Sequence, residues 1–133
     1  TEQEIETLQT SGLDERTTEI LLELNIQTWT NAKKQNWDVA HQLLKTHQIK
    51  HIENAASPFS IVLTCKSNEE RELLRKYLIQ KNIYPAILWA LPEDSPFDEA
   101  KGFSETMLSI HCDARYTLED ITYICKQIIE FYD

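Results

Sequence analysis

The sequence predicts an α/β (α+β) protein: an N-terminal helical arm followed by a small β-β-α-β-β-α module. The module's three- to four-stranded mixed or antiparallel sheet carries its helices on one face. Three observations lead there. Residues 1–47 hold helical periodicities and no strand signal. From residue 49 the apolar period switches to two and then alternates between two and 3.6. Two capping-box patterns, Ser67-x-x-Glu70 and Thr117-x-x-Asp120, open helices in that second part. The division falls at a helical arm and linker helix over 1–47 and a small α/β domain over 48–133.

Residues 2–10 read as a short helix with Ile5 and Leu8 on one side, broken by Ser11-Gly12. Asp14 caps a second helix through Leu24, with Ile20, Leu21 and Leu24 at helical spacing. A third helix covers about 27–47, and Trp37, Ala40, Leu44 and His47 form its apolar stripe. Ile49–Glu53 is a short strand. In the next strand, Phe59, Ile61, Leu63 and Cys65 face one way and Ser60, Val62 and Thr64 the other. The Ser67 box opens a helix to about Lys81 with Leu73, Leu74, Tyr77 and Leu78 inward. Ile83–Leu91 reads as a strand apolar on both faces, placed at a sheet edge because Pro85 lacks a ladder donor. A helical turn at 97–102 precedes strand 107–112, in which Leu108, Ile110 and Cys112 oppose Met107, Ser109 and His111. The last helix runs to about Tyr132 on a stripe of Leu118, Ile121, Cys125, Ile128 and Phe131 or Tyr132.

A helix joining strands 59–65 and 83–91 makes those strands parallel, and strand 107–112 fits between them, antiparallel to both. The sheet face carrying Ser60, Val62, Thr64, Ser109 and His111 is too mixed for a core. It is expected to be covered by another domain or subunit.

Composition limits the partners. The 133 residues carry 22 acidic and 13 basic side chains, a net charge of −9, which disfavours nucleic acid and anionic membranes. The acid is concentrated early: residues 1–24 are net −6, whereas 25–53 are net +2. No apolar run reaches the roughly 18–20 residues of a membrane helix. Cys65, Cys112 and Cys125 lack CxxC spacing and read as reduced thiols of a cytoplasmic core. A start at Thr1-Glu2-Gln3, with no signal peptide and no initiator Met, suggests a processed chain or a piece of a longer one. Two Gly residues are too few for a phosphate-cradling loop.

Several residues invite chemistry. His41, His47 and His51 would form a metal site only if the chain bent sharply between helix and strand; they read as solvated or capping residues. His111 ends a strand, where functional groups gather, but Cys112 beside it points to the opposite face, which rules against a Cys–His nucleophile pair. Arg115 is a charged fork suited to a carboxylate or phosphate, or else a surface residue neutralising Asp113 or the acidic first turn of the last helix. Tyr84–Trp89 is either a pocket wall or sheet core. Glu93-Asp94 and Asp98-Glu99 read as solvated charges.

From Phe59 onward the order of segments resembles a known domain. Pro58-Phe59-Ser-Ile-Val-Leu, Leu73-Leu74-Arg75-Lys76-Tyr77-Leu78, Asn82-Ile83-Tyr84-Pro85-Ala86-Ile87-Leu88-Trp89 and Leu108-Ser109-Ile110-His111-Cys112-Asp113-Ala114-Arg115-Tyr116 follow in turn. This is similar to the C-terminal small domain of fold-type-I pyridoxal-phosphate-dependent aminotransferases, in particular the sugar-aminotransferase-like group. Trp29 with Asn31, Lys33 and Asn36 resembles the helix joining the large domain to the small one, so the likeness spans roughly 20–133.

The resemblance implies a parent enzyme in which this domain closes the active-site cleft over an N-terminal large domain and aids a homodimer. It implies Trp89, His111 and Arg115 as residues facing the substrate cleft. The substrate-carboxylate Arg of the aspartate aminotransferase branch has no counterpart, because the stretch reads Glu105-Thr106-Met107. No Schiff-base Lys, pyridinium-binding Asp or phosphate cup is recognisable, so pyridoxal phosphate would sit in the large domain and this chain alone would not be catalytic. A free-standing ligand-binding regulatory module and a protein-interaction domain are the alternatives. The lack of a final strand weighs against the regulatory module.

Overall fold

A computed structural model of the chain describes residues 12, 14–53, 58–88 and 90–133. The predicted helix over 2–10 and the candidate residue Trp89 lie outside the described residues.

The arm forms as its caps dictate. Helix α1 spans Glu15–Glu23, and Asp14 accepts the Thr17 backbone N–H at 2.7 Å. Helix α2 spans Ile26–Thr46, with the Asn25 side chain accepting the Thr28 N–H at 3.0 Å. Only the second half of α2 is inside the core, through Trp37, Ala40 and Leu44. Predicted on the same stripe, His47 is exposed instead, because the helix ends at Thr46 and His47 is its C-cap.

Strand β1 (Ser60–Thr64) pairs antiparallel with β2 (Met107–His111), Ile61 opposite Ile110 and Leu63 opposite Leu108. The predicted strand Ile49–Glu53 flanks β1 as a single antiparallel bridge, His51 with Leu63. Among the described residues of the stretch Ile83–Leu91 no strand forms, and only Ala86 pairs, exchanging two 2.8 Å hydrogen bonds with Ser109 on the far side of β2. Pro85 next to it has no N–H to extend the ladder. The predicted order survives in reduced form: β2 lies between β1 and residue 86, antiparallel to both.

Helix α3 (Asn68–Gln80) is capped by Ser67, whose Oγ accepts the Glu70 N–H at 3.2 Å. The Glu70 carboxylate reaches the Lys66 N–H at 3.0 Å rather than that of Ser67, so the box closes one residue early. Leu74 and Leu78 are buried, but Leu73, predicted inward, is exposed, and Arg71 takes the buried position. The turn predicted at 97–102 is a longer helix, α4 (Asp98–Thr106). Helix α5 (Leu118–Tyr132) starts with the full box: Asp120 accepts the Thr117 N–H at 2.8 Å and Thr117 Oγ1 accepts the Asp120 N–H at 3.2 Å. Leu118 stays outside, and Ile121, Ile124, Cys125 and Ile128 enter the core.

One hydrophobic cluster unites these helices with the inner sheet residues Ile61, Leu63, Leu108, Ile110 and Cys112, so α2, α3 and α5 share one face. Each fully buried Leu or Ile there contributes about 1.5–3 kcal/mol. The opposite face is not bare, contrary to expectation. Met107 and Ser109 are buried, and Ser60, Val62, Thr64 and His111 are half-buried. Phe59 also departs from its predicted inward position: it precedes β1 at a bend and lies exposed beside His111. Much of the exposed apolar surface is on the arm: α1 buries no residue, and Leu22, Ile26 and Trp29 are 82%, 68% and 62% exposed. No helix among the described residues is long and apolar enough to cross a membrane.

Candidate functional site

The loop after β2 positions the charged centre. Asn36, buried on α2, donates its side-chain amide to the Asp113 carbonyl at 3.0 Å and the Tyr116 carbonyl at 2.9 Å. This clamp ties α2 to the turn that carries Arg115. Within the turn, Arg115 binds Asp113 as a fork: Nε to Oδ1 at 2.8 Å and Nη2 to Oδ2 at 2.7 Å. The Arg115 backbone N–H also donates to Asp113 Oδ1 at 3.0 Å. The Arg115 side chain holds the Asp113 carboxyl down to about 2, and Asp113 in turn raises the guanidinium. The neutralising role of Arg115 is therefore present, and the exposed side of its guanidinium is what remains for a ligand.

Arg115 lies on the rim of a groove of about 630 Å³. Leu24, Ile26, Trp29 and Phe59 supply apolar walls, and Lys33, Asp113 and Arg115 supply charge. His111 lines a different cavity, of about 410 Å³, with Tyr84, Tyr116, Asp120 and Tyr123. Phe59 connects the two, its ring edge-on to His111 at 4.9 Å between centroids. The structure thus brings His111 and Arg115 to neighbouring cavities rather than to one. His111 Nδ1 is buried with no hydrogen-bond partner.

Sequence reasoning missed Phe59, Leu24 and Ile26 as groove walls, because an apolar residue in a periodic pattern reads as core. The signal for Phe59 was Pro58, which marks the chain's entry into the strand and loosens the alternation there.

The cysteines offer no nucleophile. All three are free and buried, and burial pushes Cys112 and Cys125 up to about 12. Among the described residues, no three His, Cys, Asp or Glu side chains are placed to hold a metal ion. The groove does not fit pyridoxal phosphate either. Both oxygens of its one carboxylate are taken by Arg115, and neither Gly lines it to let backbone amides approach a phosphate.

No protein-family model matches the chain, and no curated protein does. Solved structures do. An aminotransferase assigned to sugar substrates, from Streptococcus pneumoniae, superposes in its apo form with a TM-score of 0.69 at 14% identity, over 79% of this chain and 31% of that one. Its PMP form gives the same TM-score and coverage at 15% identity. The chain thus has the fold of part of that protein and spans about a third of its length.

Proposed function

We propose that this chain is the C-terminal domain of a pyridoxal-phosphate-dependent, aminotransferase-like enzyme of the cytoplasm. It closes the active-site cleft over an N-terminal large domain, aids formation of the parent homodimer and is not catalytic alone. The observation that carries the reading is the fold likeness to just under a third of an aminotransferase.

The surface supports it. The arm and groove expose Leu22, Ile26, Trp29 and Phe59, whereas α3 and α5 bury Leu74, Leu78, Ile121 and Ile128. A large domain docked there would remove this apolar surface from water. In this reading the arm and linker helix over 1–47 join the two domains, Arg115 and His111 face the cleft with Trp89, and the cofactor is held wholly by the large domain. Nucleic acid and membranes have no part in it.

The test is the parent gene and its product. The reading frame upstream of Thr1 is expected to encode a large domain with a Schiff-base Lys. The full-length protein is expected to bind pyridoxal phosphate and transfer an amino group, and Arg115→Ala in it to raise KM several-fold. An upstream frame without such a domain overturns the reading. So does tight amino-acid binding by the isolated chain in calorimetry, which would mark a regulatory module.

A further inference from the structure

The sharp bend that the histidines needed is there. After α2 ends, Gln48 takes a φ of 58° and the chain doubles back, with the Ile49 N–H bonded to the Leu44 carbonyl at 2.9 Å. Gln48 is in the left-handed region that non-glycine residues disfavour, so the reversal depends on the bonds that hold it. It brings His51 Nε2 to 2.8 Å from His41 Nδ1. His51 Nδ1 lies 2.8 Å from the Ile49 carbonyl, which can only accept. His51 therefore carries its proton on Nδ1, its Nε2 accepts, and His41 Nδ1–H donates. Trp37 stacks flat on His41, 4.8 Å between centroids at 6°, and fixes that ring.

We propose that the His41–His51 pair is a proton-operated latch holding the 49–53 strip on the outer edge of β1. The strip covers that edge with two backbone bonds, Ile52 N–H to the Val62 carbonyl at 2.9 Å and Thr64 N–H to the Lys50 carbonyl at 3.0 Å. The ring-to-ring bond needs a lone pair on His51 Nε2. One added proton is tolerated, because His41 Nε2 accepts it without disturbing the bond. With both rings charged, two N–H groups and two positive charges face each other across 2.8 Å, and the latch opens.

The neighbours offset the second charge only in part: Glu53 is the carboxylate that feels both rings, and Lys45, which holds it first and most strongly, already neutralises it. On α2, Asp38 is paired with Lys34 at 2.8 Å, and Lys45 is itself a cation. On the strip, Glu53 is bonded to Lys45 at 3.2 Å. Strand β1 has no ionisable residue, and Leu63 lies opposite His51. Opening frees the backbone groups of β1 for pairing with another strand, as exposed sheet edges allow.

The test is amide hydrogen exchange by NMR on the whole chain, corrected for intrinsic rates, from pH 7.5 to 5.0. Ala86 and Ser109, which pair at the opposite edge, are internal references. Protection at Ile52 and Thr64 is expected to fall at least tenfold relative to them as pH drops. His51→Gln and His41→Gln, which retain hydrogen-bonding groups but do not titrate, are expected to abolish that fall. A ratio constant within twofold across the range overturns the latch, as does a fall that persists in either variant. The wild-type ratio decides on its own even if one variant fails to fold.

Discussion

Helices α1 and α5 start alike and end differently. Both open with a side-chain cap and both carry apolar residues at helical spacing. Helix α5 buries Ile121, Ile124, Cys125, Gln127 and Ile128, whereas α1 buries nothing. The contrast separates two things that amphipathic patterns conflate. Caps and propensity decide where a helix begins. Packing decides whether it adds to stability, because a helix shorter than about 12–15 residues is marginal in water alone. Helix α5 is part of a finished core. Helix α1, with nine residues, has an apolar side and buries no residue against the described part of the chain.

The largest break in this contrast comes from the core side. Ile128→Ala on α5 removes a side chain with no solvent exposure. It is expected to cost about 2–5 kcal/mol in urea denaturation. A loss under about 1 kcal/mol would mean that α5 is no better packed than α1. Next comes the clamp that ties α2 to the loop after β2. Asn36→Ala leaves the Asp113 and Tyr116 carbonyls without their amide partner and is expected to cost about 1–3 kcal/mol. Unchanged stability would show that α2 is held by Trp37, Ala40 and Leu44 alone.

The same contrast explains what could be read from the sequence. Helix starts were legible because Asp14, Ser67 and Thr117 announce them chemically. The pairing of β1 with β2 was legible because alternation fixes both faces. The residue 83–91 stretch was not: apolar on both sides, it has no periodicity to distinguish a strand from packed loop, and Pro85 removed a bond that a strand needs. Arg115 was legible as half of an ion pair with Asp113. The groove beside it was not, because its walls come from residues between 24 and 33, from 59 and from 113–115, and only the folded chain brings these together. The His41–His51 contact was hidden for a related reason: Gln48 turns in a conformation that its residue type does not advertise.

A smaller effect is expected at Asp113. Its carboxyl titrates lower when folded than the usual value near 3.9, so the unfolded chain binds the proton first as pH falls. The pair's stabilisation is therefore complete above about pH 4 and disappears between about pH 4 and 2. Arg115 is 72% exposed, and solvent screening keeps the contribution small. Asp113→Asn should remove that acid-dependent loss in thermal melts compared at pH 7 and 2.5. An identical acid profile in the variant would show that the fork is incidental.

The smallest effect is on the arm. Leu22→Ser changes the most exposed apolar side chain of α1, one that touches no core residue. In the chain alone its effect is expected to stay within about 0.5 kcal/mol, as for surface substitutions generally. This near-silence is informative when set beside Ile128→Ala, since both remove a large aliphatic group from an amphipathic helix. If Leu22→Ser cost as much as a core substitution, α1 would already be packed in solution, against a second copy of the chain, and the loss would then grow with protein concentration. A silent Leu22→Ser, unaffected by concentration, leaves the arm's apolar side free for the large domain proposed above, and the same substitution in the full-length protein should then weaken domain docking rather than folding.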